Sequence, residues 1–255
     1  MIHPTAIIHP KAKIGSGCEV GPYSVIGEHA ALGEKCKLHS HVVIDGHTTL
    51  GVENEIFPFA SIGLKTQDLK WKGGVTRTEI GDGNTFREYV TIHSATGDGE
   101  VTRVGSHNTI LAYCHVAHNC TLGSRIIMSN VATLAGHVTV EDHAVIGGLA
   151  AVHQFCRIGR MAMIGGCSKV VQDVPPFMMA DGNPAETRTV NKTGMERNGV
   201  SEEAQGALRQ AYKILFREGL TVSNAIAKVE KQLPPLPELR HLIQFVRASE
   251  RGISK

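Results

Sequence analysis

Four histidines hold the most legible chemistry in this 255-residue sequence. His115 and His118 stand in Ala112-Tyr-Cys-His-Val-Ala-His-Asn-Cys-Thr-Leu-Gly123, His137 closes Thr133-Leu-Ala-Gly-His137, and His153 sits in Ala151-Val-His-Gln-Phe-Cys156. Imidazole changes charge near neutral pH, so it can take a proton from a hydroxyl nucleophile and return it to a leaving group. The spacing matters as much as the residue type. His118, Gly136 and Gln154 follow one another at intervals of 18, and His137 and His153 flank the second and third of them. One such histidine reads as a polar corner residue, whereas four that recur on one spacing read as a site.

A repeat of six must position them. In the column of every sixth residue from Ile2 to Val170, 26 of 29 positions are large and apolar, which fixes the period. The exceptions, Asp68, Gly74 and Asp98, fall in two polar, glycine-containing stretches, about 63 to 79 and 94 to 103, that read as loops. The register resumes unchanged after each. Glycine often follows the apolar residue, as at Gly15, Gly33 and Gly123, which suggests a sharp turn with positive φ at that position. A small residue usually stands four after it. Cys18, Cys36, Cys114, Cys120 and Cys156 occupy that slot, which marks them as small inward hydrophobes.

A period of six matches neither an α-helix nor a long strand, but it does match a short strand followed by a corner. Three such sides close a triangular coil of 18 residues, and stacked coils satisfy one another's backbone groups. At roughly 4.8 Å per coil, nearly ten coils make a rod of about 46 Å. In this parallel β-helix His118 lies two residues after Val116, at an outward corner. Gly136 directly above it leaves room for a substrate group and exposes a backbone N–H. The neighbouring column, Ala112, Asn130, Gly148 and Gly166, is lined mostly by small residues, as a trench would be.

The repeat stops after Val174, because Pro175-Pro176 cannot extend a ladder, and helices are expected beyond it. Ser201-Glu-Glu reads as an N-cap with acidic first-turn residues, followed by the stripe Leu208, Ala211, Tyr212 and Leu215 that ends near Gly219. A second helix is expected over 223 to 232. A third follows Pro237 with Leu239, Leu242, Ile243 and Val246. The division expected is a catalytic β-helix over 1 to 183 and an α-helical domain over 184 to 255, which caps the rod or contacts a partner.

Composition narrows the function classes. The chain is 42% hydrophobic and 20% charged, with no basic segment leading into an apolar run and no stretch of membrane-spanning length, so a cytoplasmic location is expected. The net charge of +2 hides a modest split. Residues 1 to 183 hold 14 basic and 16 acidic side chains and the remainder 12 and 8, so the tail is the end to which an acidic partner could dock. No nucleic-acid partner is expected. The 14 histidines raise the question of zinc, but they show no recognisable ligand spacing, so neither a metal nor another cofactor is expected.

The repeat resembles that of the hexapeptide-repeat acyltransferases, which implies a left-handed parallel β-helix that assembles as a trimer. General crossover rules alone would favour the right-handed sense. Glu79-Ile-Gly-Asp-Gly-Asn, Thr91-Ile-His93, Ala117-His118-Asn-Cys120, Thr133-Leu-Ala-Gly-His137, Ile146-Gly-Gly, Ala151-Val-His-Gln-Phe-Cys156, Gly165-Gly-Cys-Ser and Gln172-Asp-Val-Pro-Pro176 together resemble the UDP-N-acetylglucosamine O-acyltransferase family of lipid A synthesis. The similarity spans nearly the whole chain. It implies that a 3-hydroxyacyl group moves from acyl carrier protein to the sugar 3-hydroxyl, with His118 as general base and the Gly136 N–H as oxyanion donor. It further implies that Asp68, Lys70, His93, His115, His137, His153 and Gln154 contact nucleotide, sugar or acyl chain. By the same resemblance Asn191 and Arg197 reach the diphosphate from a neighbouring subunit of a homotrimer, and Gly166 measures the acyl chain, a glycine there implying a long one. The chain departs from some relatives in carrying Asn119 rather than Asp after the base, and its basic cluster near Arg197 is thinner.

Other readings carry weaker signals. An acetyl-CoA-dependent hexapeptide acetyltransferase usually has a shorter rod. The N-acyltransferase acting later in lipid A synthesis carries an extra N-terminal uridine-binding domain, whereas here the hexads begin at residue 2. The γ-type carbonic anhydrases share the fold class and hold zinc with three histidines between subunits. A structural or ice-binding rod would repeat one residue type along a flat face without loops or a histidine cluster.

Overall fold

The computed structural model describes all residues from Met1 to Lys255. Three sheets of nine, eight and ten short strands, parallel but for one strand at the end of the last, form the faces of a prism. Most strands are two residues long, and the second of the pair is usually the buried one, as in Val25–Ile26, Thr109–Ile110 and Thr133–Leu134. The registers confirm the coil length. Ile7 pairs with Val25, Lys13 with Ala31, Glu19 with Lys37 and His115 with Thr133, each 18 residues on. In two places the interval lengthens: Ser61 pairs with Thr91 and Thr91 with His115. Both extensions, by 12 and 6 residues, are whole hexads, so the inward column keeps its phase across the loops.

A cluster of 41 buried residues fills the prism, with Ile44, Ile56, Ile62, Ile92 and Ile110 fully enclosed. Each such side chain contributes roughly 1.5 to 3 kcal/mol by leaving water, before entropy is subtracted. The five inward cysteines are all buried free thiols. Four of them also direct the sulfur at a carbonyl one coil on, as Cys120 does to Ala135 O at 3.1 Å.

The glycine column differs from the sequence-based expectation. Gly15 and Gly33 do not take positive φ; the left-handed residue comes two positions later, at Lys35, Tyr113, Asn119, His137 and Phe155 among others. Glycine is required for a different reason, the contact between coils. A Cβ on Gly15 would lie 2.5 Å from the carbonyl carbon of Gly33. The left-handed corner residues point outward and stack. Tyr23, His41, Phe59, Tyr89 and Tyr113 form one such ladder, with ring centroids 4.7 to 5.2 Å apart.

The region after Val174 also departs from the sequence-based expectation. The two prolines occupy a corner, and the ladder continues beyond them. Met178–Gly182 pairs in parallel with Met163–Ile164 and then turns back antiparallel to Ala185–Val190. Four helices follow: α1 (Lys192–Arg197), α2 (Glu202–Phe216), α3 (Val222–Gln232) and α4 (Pro237–Arg247). The short α1 has no apolar stripe to betray it. It is capped by the Asn191 side chain, which accepts from Gly194 N–H. Ser201 caps α2 as expected, and Thr221 caps α3, which begins one residue before the expected start. A second core of 18 buried residues joins these helices to Met161, Phe177 and Met178 at the end of the rod.

Candidate active site

His118 sits on the corner between the strands His115–Val116 and Thr121–Leu122. The stacking inferred from the 18-residue interval holds, since His137 N–H donates to His118 O at 3.0 Å and Phe155 N–H to Gly136 O at 3.2 Å. The imidazole is 14% exposed, part-sheltered on a corner but open to solvent. Gly136 presses on it. A Cβ there would lie 2.4 Å from the ring Cε1 and 2.5 Å from Nε2, so only glycine allows this approach. The Gly136 N–H makes no hydrogen bond within the chain.

The two insertions fold back over this corner. The first delivers Asp68, whose Oδ2 lies 3.8 Å from His118 Nε2. Asp68 is held by its own turn, its Oδ1 accepting from Lys70 N–H at 2.9 Å, and that bond first, then the facing His118, lowers its pKa. Lys70 itself is exposed. The second insertion delivers Thr96, Glu100 and Thr102 to Asn119. Asn119 Oδ1 accepts from Thr96 N–H at 3.1 Å, its Nδ2 donates to Glu100 at 2.7 Å, and its own N–H donates to the Thr102 hydroxyl at 2.8 Å. Glu100 is held below the usual carboxylate range, chiefly by that amide.

This network fixes a tautomer. The backbone N–H of Thr96 must meet an oxygen and the Glu100 carboxylate must meet the NH₂, so the Asn119 amide has one orientation. Its oxygen lies 2.9 Å from His118 Nδ1, which must then carry the proton. Nε2 is left as the lone pair, on the side of Gly136 and Asp68.

The other histidines surround this one. His137 meets it edge to face at 5.2 Å, and His93 lies edge to face with His115 at 5.1 Å. Burial pushes the pKa of His93, His115 and His137 down, that of His115 to about 4, and the neighbouring His118 adds to each shift. His115 Nδ1 is also 2.7 Å from the Thr91 hydroxyl. Neutral imidazoles therefore line the wall around His118, while two carboxylates face it. His153 and Gln154 are exposed one coil beyond Gly136. His137 stacks on Phe155 at 4.7 Å, and both line a cleft of about 610 Å³ whose other side includes Arg157, Asp173 and Arg251 of the C-terminal tail.

The column of Ala112, Asn130, Gly148 and Gly166 stacks as the 18-residue interval requires. Val131 N–H donates to Ala112 O, Leu149 N–H to Asn130 O and Cys167 N–H to Gly148 O, at 2.8 to 3.0 Å. Gly166 is exposed there, and a Cβ on it would meet only Gly148 O, at 3.3 Å. The geometry does not join Asn191 and Arg197 to the cluster within this chain. Asn191 is buried, its Nδ2 donating to Met161 O at 2.8 Å while its oxygen caps α1; Arg197 is exposed on the last turn of α1, with no ion-pair partner. Thr96 and Glu100 lie in a loop, where residues follow no period, and Thr91 and Thr102 stand on the strands Thr91–His93 and Val101–Val104 as ordinary polar residues, so the sequence assigns none of the four a role at the site.

A rod of hexads with a glycine-crowded imidazole on an open corner, beside a small-residue trench, defines the class of hexapeptide-repeat acyltransferases, and the fold is their left-handed parallel β-helix. Residues 11–46 match the family model described as bacterial transferase hexapeptide, six repeats, and residues 173–254 match that of Udp N-acetylglucosamine O-acyltransferase, domain 2. Among solved structures the chain is similar to LpxA from Acinetobacter baumannii, at 45% identity, 100% coverage of this chain and 99% of that one, and a TM-score of 0.96. It is similar to the UDP-N-acetylglucosamine O-acyltransferase of Moraxella catarrhalis at 42% identity over 100% and 99%, with a TM-score of 0.95. The Bacteroides fragilis UDP-N-acetylglucosamine acyltransferase gives 39% over both full chains and a TM-score of 0.98. The chain belongs to the UDP-N-acetylglucosamine acyltransferase family and is an acyltransferase.

Proposed function

We propose that this enzyme transfers an (R)-3-hydroxyacyl chain from acyl carrier protein to the 3-hydroxyl of UDP-N-acetylglucosamine, the first step of lipid A synthesis, with His118 as general base. The observation that carries this reading is the tautomer: Nδ1 is tied to Asn119 and the Nε2 lone pair faces Gly136. Nε2 takes the proton of the sugar hydroxyl as its oxygen bonds to the thioester carbonyl carbon. The negative charge passes to the carbonyl oxygen, where the free Gly136 N–H stabilises it. The C–S bond then breaks, and the imidazolium returns its proton to the departing thiolate. Such proton transfer contributes about 10² to 10⁴ in rate.

Asp68, Lys70, His93, His115, His137, His153 and Gln154 are assigned to nucleotide, sugar and acyl contacts around that centre, and Gly166 to the end of the trench. The exposed apolar edge of Tyr23, Phe59, Tyr89, Tyr113, Val131 and Leu149 supports a homotrimer. In it, α1 of a neighbour would present Asn191 and Arg197 to the diphosphate. The two cores support a β-helical rod joined to a helical domain, the proposed division being a catalytic rod over 1 to 183 and a helical domain over 184 to 255. No helix is long and apolar enough to cross a membrane, and a cytoplasmic location is part of this proposal.

The test is an assay of wild type and His118→Ala with UDP-N-acetylglucosamine and its 3-amino analogue against a series of acyl carrier protein thioesters. Loss of turnover in a folded trimer is expected. Turnover retained by the variant removes the base assignment.

A further inference from the structure

We propose that Glu100 and Asn119 form a positioning relay behind His118, in which the carboxylate acts on the imidazole through the asparagine amide. This rests on His118 being the base. The bonds run in one line: His118 Nδ1–H to Asn119 Oδ1 at 2.9 Å, then Asn119 Nδ2–H to Glu100 Oε2 at 2.7 Å.

An amide next to a base orients it but carries no charge to meet the imidazolium that forms during proton transfer. A carboxylate accepting from the NH₂ group polarises the amide and makes its oxygen a stronger acceptor, so part of the anion's effect reaches Nδ1. Glu100 is itself fixed, because Oε2 also accepts from Gly97 N–H at 2.8 Å. Thr96 N–H also donates to the amide oxygen at 3.1 Å, and the Thr102 hydroxyl fixes the residue's backbone by accepting from Asn119 N–H at 2.8 Å. The second insertion in the rod thus supplies every group that holds Asn119 in its orientation. The remaining titratable groups around His118 are Asp68 on the Nε2 side, His93, His115 and His137, with Lys70 acting on Asp68 and His137. Glu100 alone among them reaches the Nδ1 side.

The test compares E100Q, N119D, E100Q/N119D and H118A by kcat, KM and the pH profile of kcat/KM, with thermal melts as a folding control. Glutamine at 100 keeps an oxygen for both N–H donors and removes only the charge. E100Q is expected to lower kcat about tenfold with little change in either KM, and to move the acid limb of kcat/KM to lower pH, since the proton on the base loses a stabilising anion. N119D is expected to be impaired, because two carboxylates then face one another at hydrogen-bonding distance. The double variant moves the charge next to the ring, with the glutamine donating to it, and is expected to recover at least half of wild-type kcat. An E100Q enzyme with wild-type kcat and an unmoved acid limb, or a double variant no faster than E100Q, overturns the relay. Activity in H118A overturns the base assignment instead, so the two failures are distinguishable.

Discussion

Gly136→Ala isolates the contact between His118 and the coil above it. The φ of Gly136 is one that any L-residue adopts, so alanine imposes no backbone strain. The added methyl would lie 2.4 Å from Cε1 and 2.5 Å from Nε2 of His118. Ordinary carbon contacts need at least 3.4 Å or so, so the ring must retreat by about 1 Å. The ring is tied at Nδ1 to Asn119, so it cannot retreat without lengthening that bond of 2.9 Å. A displacement of about 1 Å at a reacting group costs on the order of 10² in rate, or about 2.7 kcal/mol in the barrier. Steady-state transfer assays with G136A should therefore show kcat reduced about a hundredfold. Gly206→Ala is the matching control. It lies inside α2 with nothing within 4 Å of the added methyl, and it should raise stability by about 1 kcal/mol with unchanged turnover. A G136A enzyme that folds and turns over at the wild-type rate would refute the crowding argument, and with it the placement of substrate at Nε2.

Three further outcomes follow from the same geometry. Gly166→Met fills the exposed end of the trench and should shift preference toward shorter acyl chains by several carbons, read from a chain-length series; an unchanged profile removes the ruler. Native protein should show no fast-reacting thiol with a disulfide reagent other than Cys167, because Cys114, Cys120 and Cys156 are buried with pKa values pushed up to about 11 to 12; a second fast thiol would contradict the inward slot. His115 takes up its proton near pH 4 in the fold and near 6.5 when unfolded. The unfolded chain thus binds more protons between those values, and stability falls as pH drops through that window. Its share is about 2 kcal/mol after allowance for solvent screening, so His115→Gln should flatten the loss of melting temperature between pH 7 and 4.5, and an unchanged slope would exclude the assignment.

The prism was written into the sequence because its determinant is periodic. A column with apolar residues at 26 of 29 positions leaves one economical way to bury them, and whole-hexad insertions preserve its phase. The same arithmetic stacked His118 beneath Gly136 and aligned Ala112, Asn130, Gly148 and Gly166 in one column. The N-cap of α2 and the stripe beyond it were equally local signals. The hairpin after Pro176 escaped notice, since a strand that pairs back on itself leaves no sixfold mark, and α1 was too short for a stripe. The glycine column showed where glycine is needed but not why, because the contact with the next coil exists only once coils stack.

What tertiary structure alone decided is the state of His118. Asp68 and Glu100 lie 50 and 18 residues before His118, in loops whose path no period constrains. Only the folded chain brings one to Nε2 and the other, through Asn119, to the Nδ1 side. A hexad sets which residues share a corner, because backbone pairing enforces that register at every coil. It cannot set which ring nitrogen keeps its proton, because that depends on side-chain partners brought in by chain that obeys no repeat.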